Sequence, residues 1–235
     1  MWFALAFETL VAMVIAYFCG SLLFGLWVGQ NYRGVDIRAH GSGNAGATNA
    51  ARVLGPRLGA LVFALDTAKG LAPTLLLPWF FGLPTGGFVQ LAIGLSAVAG
   101  HVFSWMSGFK GGKGVATALG VFLAIATVPI LVTLAIGTAV IFATGYVSAV
   151  SVTSAVVFPI LLWWFHYPAS VIAISGAICF ILIVKHESNL LRLMAGTERK
   201  LWDKAAPDGT LAAAGSAASP PLYVARPFDP GDGGG

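Results

Sequence analysis

Charged residues are scarce in this chain, and their scarcity excludes most classes of soluble protein. Only 9% of the 235 residues are Asp, Glu, Lys or Arg, and 57% are hydrophobic; about 25% charged residues is usual in a soluble domain. The net charge of +4 is dispersed over several loops and forms no basic stripe for nucleic acid. The composition therefore predicts an integral membrane protein that binds no nucleic acid.

Cysteine is also rare, and a basic N-terminal segment is lacking. Cys19 and Cys179 both lie in apolar runs, which excludes a disulfide framework and indicates buried small side chains. The first apolar run, Trp2 to Val28, contains only one charge, Glu8. We therefore expect no cleaved signal peptide, and we expect the first helix to enter the bilayer with its N-terminus outside.

The apolar segments predict an all-α integral membrane protein. A helix needs roughly 20 residues to cross the hydrocarbon core. Three segments precede a charge-free interval, 115–184, which Pro, Gly and Tyr divide into four short pieces. This gives seven short transmembrane helices, with five crossings as the alternative. The earlier segments are Trp2 to Val28, Leu58 to Leu77 and Phe88 to Trp105; the breaks are at 127–129, 144–146 and 166–168.

Cations occur in three polar segments, which by the positive-inside rule face the cytoplasm together with the C-terminus. Residues 1–202 are expected to form a single transmembrane domain. Residues 203–235 are rich in Ala, Pro and Gly and predict a disordered tail. Within the second apolar segment, Asp66 and Lys69 share one helical face, which favours a structural ion pair over a direct substrate contact.

The first polar segment contains GSGNAGATNAARVLG, which starts at Gly41 and includes Arg52. Such a composition is typical of an ordinary turn-rich loop. The alternative is a substrate site, because Ser42, Asn44 and Thr48 present hydrogen-bonding groups near an arginine, as a phosphorylated polyol requires.

The second polar segment, HVFSWMSGFKGGKGVAT from His101, combines glycines with Lys110 and Lys113. It predicts an anion-binding loop in which backbone N–H groups approach a phosphate before a helix that begins near Val115. The alternative is a cytoplasmic turn whose lysines only fix topology. The segment is not a Walker A loop, since Gly114 stands where Ser or Thr should follow the lysine.

The third polar segment, KHESNLLRLMAGTE from Lys185, places His186 and Asn189 three residues apart on a helix that leaves the bilayer. A basic juxtamembrane helix is usually a lipid-headgroup anchor. Hydroxyl groups at 148, 151, 153 and 154 either pack helices together or line a site near the membrane face.

Together the three motifs resemble those of the bacterial acyl-phosphate:glycerol-3-phosphate acyltransferases, integral membrane enzymes of phospholipid synthesis. The resemblance covers the chain from the first span to about Glu198. Two positions depart from the usual pattern: Ser104 replaces Pro in the second motif, and Leu190 replaces Ile in the third. Neither departure removes a group with obvious chemistry.

The resemblance implies transfer of a fatty acyl group from a long-chain acyl phosphate to the 1-hydroxyl of sn-glycerol 3-phosphate, which gives lysophosphatidic acid and phosphate. It implies a multi-pass protein of the bacterial inner membrane with a cytoplasmic active site and no cofactor or metal. A soluble enzyme that makes acyl phosphate is an expected upstream partner. Carried over by motif position, the catalytic residues are Ser42, Arg52, Lys113, His186 and Asn189, and the substrate-binding residues are Asn44, Thr48, Gly111, Gly112 and Ser151.

We expect the glycerol hydroxyl to attack the acyl phosphate directly, with the proton accepted by His186 or by the departing phosphate. The pattern of His followed four residues later by Asp, found in other glycerolipid acyltransferases, is absent, which disfavours thioester donors. A transporter of an anionic metabolite is the alternative function. The charge-free interval disfavours it, because that interval offers no cation for an anion site at mid-membrane.

Overall fold

The structure, a computed structural model, describes residues 2–203, and its regular elements in that range are helical. The predicted tail, 203–235, lies outside the described residues except for Asp203. The α-helices, in chain order, are α1 (Trp2–Ser21), α2 (Phe24–Arg33), α3 (Ala47–Leu54), α4 (Pro56–Phe81), α5 (Phe88–Val102), α6 (Val115–Ile125), α7 (Thr127–Thr144), α8 (Val147–Trp164), α9 (Ala169–Val184) and α10 (Glu187–Met194).

The helices confirm the predicted all-α membrane class. Within residues 2–203, five helical segments are long and apolar enough to cross a bilayer, and a sixth is obtained if α9 and α10, bent by 55°, are counted as one span. The predicted breaks at 144–146 and 166–168 are confirmed, because they separate α7, α8 and α9, whereas the first break falls at Ala126 and residues 127–129 begin α7. The apolar helix α6, with 11 residues, is shorter than these helical segments, so seven crossings stay a prediction.

Glycines allow the central helices to approach each other at backbone distance. A Cβ atom built on Gly20 of α1 would lie 1.9 Å from the carbonyl oxygen of Ala97 in α5, and one on Gly120 of α6 would lie 2.0 Å from the carbonyl oxygen of Thr67 in α4. Neither distance leaves room for a side chain. Small residues at these positions therefore form helix-packing surfaces.

The first apolar run is interrupted, contrary to its prediction as one helix. The chain breaks between α1 and α2 at Leu22 and Leu23, where a free carbonyl must find a donor. Lys69 of α4 supplies it, since its ammonium group lies 2.5 Å from the Leu22 carbonyl oxygen and 2.7 Å from Asp66 Oδ1. The predicted ion pair thus exists, and it also stabilises the break.

The main apolar core lies among α5, α6, α8 and α9, where the rings of Phe122 and Phe158 stack with centroids 4.1 Å apart. At one end of this core the three polar motifs come together. Ser104, which replaces the usual proline, is fully buried there, and its hydroxyl donates to the carbonyl of Ser21 at 2.7 Å. This substitution therefore adds a link between the second motif and α1.

Candidate active site

A cavity of about 150 Å³ lies where the three motifs meet. Eight of the ten predicted site residues line it: Ser42, Asn44, Thr48, Arg52, Lys113, Ser151, His186 and Asn189. Four further polar residues lie in the same lining, namely Asp66, His101, Ser148 and Glu198. The convergence of segments distant in sequence favours a binding site over three unrelated loops.

The first motif is held in place by Asn49, a buried residue of α3. Its side-chain oxygen accepts the Ser42 N–H at 2.7 Å, and its NH₂ group donates to the carbonyls of Ile37 and His40 at 2.7 and 3.1 Å. The amide therefore fixes the loop on both sides of Gly41. As a result, the Ser42 and Thr48 hydroxyls remain available at the cavity wall.

Arg52, at the last turn of α3, brings a cation to the cavity. Its guanidinium donates to the carbonyl of Arg199 at 3.4 Å, and no carboxylate among the described residues forms a salt bridge with it. Partial burial and the nearby Arg199 lower its pKa, although Glu198 opposes this effect. Arg52 is nevertheless charged at neutral pH, so an entering anion would meet a cation with unused donors.

Gly111 and Gly112 do not line the cavity, and their N–H groups are not free for a phosphate. These groups donate to the carbonyls of Val102 and His101, both at 3.1 Å. A Cβ atom on Gly111 would lie 1.9 Å from the His101 carbonyl oxygen, and one on Gly112 would lie 2.2 Å from His101 Nε2. The glycines therefore let the loop pack against the end of α5, which differs from their expected phosphate contact.

Lys113 and the start of α6 are the parts of the second motif that reach the cavity. Gly114 adopts a left-handed conformation, with φ of 85°, and Val115 begins the helix beside the cavity. The first N–H groups of α6 have no partner within the helix and carry its positive dipole end. Burial lowers the pKa of Lys113 to about 8, assisted by Arg192 and Arg52 and opposed by Glu198.

The third motif contributes His186 and Asn189, both buried. His186 Nδ1 lies 2.7 Å from the Leu182 carbonyl oxygen, which can only accept. Nδ1 must therefore carry the hydrogen, and in the neutral ring Nε2 is an acceptor. The side-chain oxygen of Asn189 accepts from the Lys113 ammonium group, which joins the second and third motifs.

Glu198, which the sequence analysis left without a role, organises this end of the site. Its Oε1 accepts from Ser148 at 2.8 Å and from Asn189 at 2.6 Å, and its Oε2 accepts from Arg192 Nε at 2.7 Å. Burial alone would raise the pKa of Glu198, but these donors outweigh burial, and the pKa is lowered. The sequence signal that could have indicated this role was the position of Glu198 at the end of the third motif.

Asp66 and His101 form the other unassigned part of the lining. They lie in α4 and α5, only 1% and 3% exposed, and Asp66 Oδ1 is 3.8 Å from His101 Nδ1. Their helices are candidate membrane spans, and we refer to these two residues as the floor of the cavity. The sequence predicted a structural role for Asp66 and none for His101.

A larger groove, of about 510 Å³, includes Met106 and Ser107 of the second motif but no residue of the other two. Its lining includes apolar residues of α2 and one arginine, Arg38, whose guanidinium lies 2.7 Å from the Asp36 carboxylate. The pairing leaves this groove without an unpaired cation among its lining residues. The smaller cavity, with Arg52 and Lys113, is therefore the better candidate for chemistry on a phosphorylated substrate.

The fold and the cavity define a multi-pass membrane protein with a polar, cation-bearing cavity where its three motifs meet. A sequence model of the glycerol-3-phosphate acyltransferase family matches residues 10–196. A glycerol-3-phosphate acyltransferase from Fusobacterium nucleatum is 44% identical over 188 residues, which are 80% of this chain and 95% of the relative. A relative of the same name from Aquifex aeolicus is 38% identical over 193 residues, 82% and 99% of the two chains. The chain belongs to the glycerol-3-phosphate acyltransferase family and is an acyltransferase.

Two solved structures are similar to this one along most of their length. Both are crystal structures of PlsY, an integral membrane glycerol 3-phosphate acyltransferase, one in its glycerol 3-phosphate form and one in its lysophosphatidic acid form. They give TM-scores of 0.77 and 0.75 at 38% identity, and the match covers 82% of this chain and 94% of theirs. The membrane fold expected from the motifs is thereby confirmed.

Proposed function

We propose that this protein transfers a fatty acyl group from a long-chain acyl phosphate to the 1-hydroxyl of sn-glycerol 3-phosphate. The products are 1-acyl-glycerol 3-phosphate, which is lysophosphatidic acid, and inorganic phosphate. One observation carries the proposal: residues of all three motifs surround one cavity that holds two cations, Arg52 and Lys113. The solved relatives, one with glycerol 3-phosphate and one with lysophosphatidic acid, support the acceptor and the product.

The charges of the cavity suit two phosphate-bearing substrates. Arg52 offers a forked donor, Lys113 a point charge, and the start of α6 offers free N–H groups. Ser42, Asn44 and Thr48 add neutral polar groups at the wall. Apolar Phe63 and Val115 line the same cavity, so a donor with a long acyl chain has a route toward the bilayer.

The side chains favour direct transfer without an acyl-enzyme. Ser148 donates to Glu198, and Ser151 donates to the Val147 carbonyl at 3.1 Å. Among residues 2–203, the Ser42 and Thr48 hydroxyls form no hydrogen bond with a histidine either, so none of these hydroxyls is paired with a histidine base. The 1-hydroxyl oxygen then attacks the acyl carbon, the bond from that carbon to the phosphate oxygen breaks, and the departing phosphate takes the hydroxyl proton. Arg52 and Lys113 stabilise the charge that develops on this phosphate.

We also propose that the site faces the cytoplasm of a bacterial inner membrane. Motif cations lie at the same end of the helices as the cavity, as the positive-inside rule requires. A soluble enzyme that makes acyl phosphate would then deliver the donor on this side. Two single-cysteine variants, at Arg33 and at Thr85, test the orientation. Arg33 ends α2 on the expected cytoplasmic side, and Thr85 lies in the turn between α4 and α5, on the expected outer side. An impermeant thiol reagent applied to intact spheroplasts should therefore label only the cysteine at position 85.

The reaction is tested with purified protein in detergent, given labelled glycerol 3-phosphate and either palmitoyl phosphate or palmitoyl-CoA. We expect lysophosphatidic acid, with equimolar phosphate, from palmitoyl phosphate alone. Product only from the thioester would overturn the donor and keep the acceptor. No product from either donor, with a folded sample that binds glycerol 3-phosphate, would overturn the proposed reaction.

A further inference from the structure

A buried polar cluster of Asp66, Lys69 and His101 lies beneath the cavity. The three residues are 1%, 6% and 3% exposed, on helices that cross the membrane. Asp66 Oδ1 lies 2.7 Å from Lys69 Nζ and 3.8 Å from His101 Nδ1. Ionisable groups at such positions are expensive and usually functional.

A structural role accounts for the burial of Lys69, but it does not account for the position of Asp66 at the cavity. Lys69 donates to the free carbonyl of Leu22 where α1 and α2 separate, and Asp66 balances its charge. That pairing uses Oδ1, yet the carboxyl group also lines the cavity. Among residues 2–203, Asp66 Oδ1 is buried without a hydrogen-bond partner, although Lys69 lies at ion-pair distance from it. The cavity therefore has an anionic acceptor in its floor.

The negative charge of Asp66 determines which group of a substrate can bind next to it. A carboxylate repels a phosphate and accepts a hydrogen bond from a hydroxyl group. Arg52 and Lys113 attract the phosphate elsewhere in the cavity. A phosphorylated polyol would therefore bind with its phosphate at these cations and with a hydroxyl at Asp66.

The unreactive hydroxyl fits this place better than the reactive one. The reactive 1-hydroxyl must meet the acyl carbon of a donor whose chain leaves past Phe63 and Val115, at the bilayer side of the cavity. The 2-hydroxyl is the remaining free hydroxyl of glycerol 3-phosphate. It can face the floor while the 1-hydroxyl faces the donor.

We propose that the Asp66 carboxylate accepts a hydrogen bond from the 2-hydroxyl of the acceptor substrate, while Lys69 balances its charge and holds it in place. His101 Nδ1 lies 3.8 Å from Asp66 Oδ1, and the His101 carbonyl accepts from the Gly112 N–H, so His101 links the floor to the loop that carries Lys113. This assignment rests on the proposed function, because it requires glycerol 3-phosphate as the acceptor. It makes Asp66 a residue that selects the acceptor by its middle hydroxyl.

The wild-type protein gives the first test. Isothermal titration in detergent, without any acyl donor, compares glycerol 3-phosphate with 3-hydroxypropyl phosphate, which lacks only the 2-hydroxyl. A hydrogen bond to a charged partner predicts binding that is roughly 10- to 100-fold weaker for the analogue. Equal affinities would overturn the assignment whatever any variant does.

Two variants separate recognition from structural support. Asp66→Asn should lower the ratio of the two affinities at least about fivefold, because the charge-assisted part of the bond is lost. The double variant Asp66→Leu/Lys69→Met, which leaves no unbalanced lysine, should bring the ratio near one. Asp36→Asn, a change of a loop carboxylate paired with Arg38, is the charge-matched control and should leave the ratio unchanged.

A purely structural Asp66 would give a different result. Its replacement would weaken both ligands equally and keep the wild-type ratio, and that outcome in both variants would overturn the proposal. Failure of the proposed reaction is distinguishable from this, since it would show as acyl transfer absent from every donor while the binding ratio persists. If acyl transfer occurs from palmitoyl phosphate but the wild type binds glycerol 3-phosphate and 3-hydroxypropyl phosphate equally well, only the proposed role of Asp66 is overturned.

Discussion

The ammonium group of Lys113 donates to the side-chain oxygen of Asn189, and this contact joins residues that are 76 positions apart. The NH₂ group of the same amide donates to Glu198 Oε1 at 2.6 Å. Since a lysine can only donate and a carboxylate accepts, the partners fix which way the amide points. The position of a cation that lines the cavity thus depends on a carboxylate at the end of the third motif.

Replacing Glu198 by Gln should destabilise the protein and weaken the binding of glycerol 3-phosphate. The change removes the charge that three donors share, and a hydrogen bond to a charged group contributes about 1.5–3 kcal/mol. Thermal unfolding in detergent and titration with glycerol 3-phosphate measure the two effects. Glu187→Gln is the matched control, because Glu187 is an exposed residue in the first turn of α10, and it should change neither quantity.

The stability loss in Glu198→Gln should depend on pH with a defined sign. The folded state lowers the pKa of Glu198, so its ionised form contributes stability above the unfolded pKa, and this contribution is lost as pH falls through the folded pKa. The wild type and the variant should therefore differ most at neutral pH and converge in acid. A difference that is constant from pH 7 down to pH 3 would contradict the role of the charge.

Lys113 should give kcat/KM for glycerol 3-phosphate an alkaline limb near pH 8. Its pKa is lowered to about 8, so the free enzyme loses this cation as pH rises through that value, and phosphate affinity falls with it. Lys113→Arg should move the limb beyond pH 10, because a guanidinium keeps its charge there. Lys110→Arg is the control, since Lys110 is exposed, and an alkaline limb that stays near pH 8 in Lys113→Arg would assign it to another group.

The sequence predicted the helical class and the breaks between α7, α8 and α9, because long apolar runs and Pro or Gly interruptions are local signals. It also predicted that Asp66 and Lys69 pair, since three-residue spacing is local too. The break between α1 and α2 was missed. Its free carbonyl is satisfied by Lys69, 47 positions away, and no local pattern near Leu22 indicates it.

The sequence predicted which side chains come together in the cavity, and it failed where packing decides the contacts of the backbone. Arg52, Lys113, His186 and Asn189 meet in one cavity as expected. Gly111 and Gly112 were assigned to phosphate because glycine-rich loops with lysines usually bind anions. Their N–H groups are instead used by the end of α5, a tertiary contact that the motif does not encode.

Gly112→Ala should therefore impair the enzyme through packing and not through a lost phosphate contact. The added Cβ would lie 2.2 Å from His101 Nε2, so the loop or the ring must shift, and Lys113 shifts with the loop. We expect kcat/KM for glycerol 3-phosphate to fall at least about tenfold together with a lower unfolding temperature. Gly176→Ala, at an open helical position in α9, is the control and should be neutral or slightly stabilising. Loss of activity in Gly112→Ala with unchanged stability would instead favour direct contact with the substrate.

His186 is the remaining candidate for the base, and its replacement decides between two routes for the proton. Nδ1 is held by the Leu182 carbonyl, so Nε2 is the ring atom that can take a proton from the 1-hydroxyl. If the departing phosphate takes the proton, as proposed, His186→Ala should keep kcat within about tenfold of the wild type, with KM for glycerol 3-phosphate raised by the lost polar contact. A general base contributes typically about 100-fold or more, so a larger loss of kcat would assign the proton to His186. His186→Gln, which retains a hydrogen-bonding side chain, is the matched variant: it should restore KM under the phosphate route, whereas under the histidine route its kcat should remain as low as that of the alanine protein.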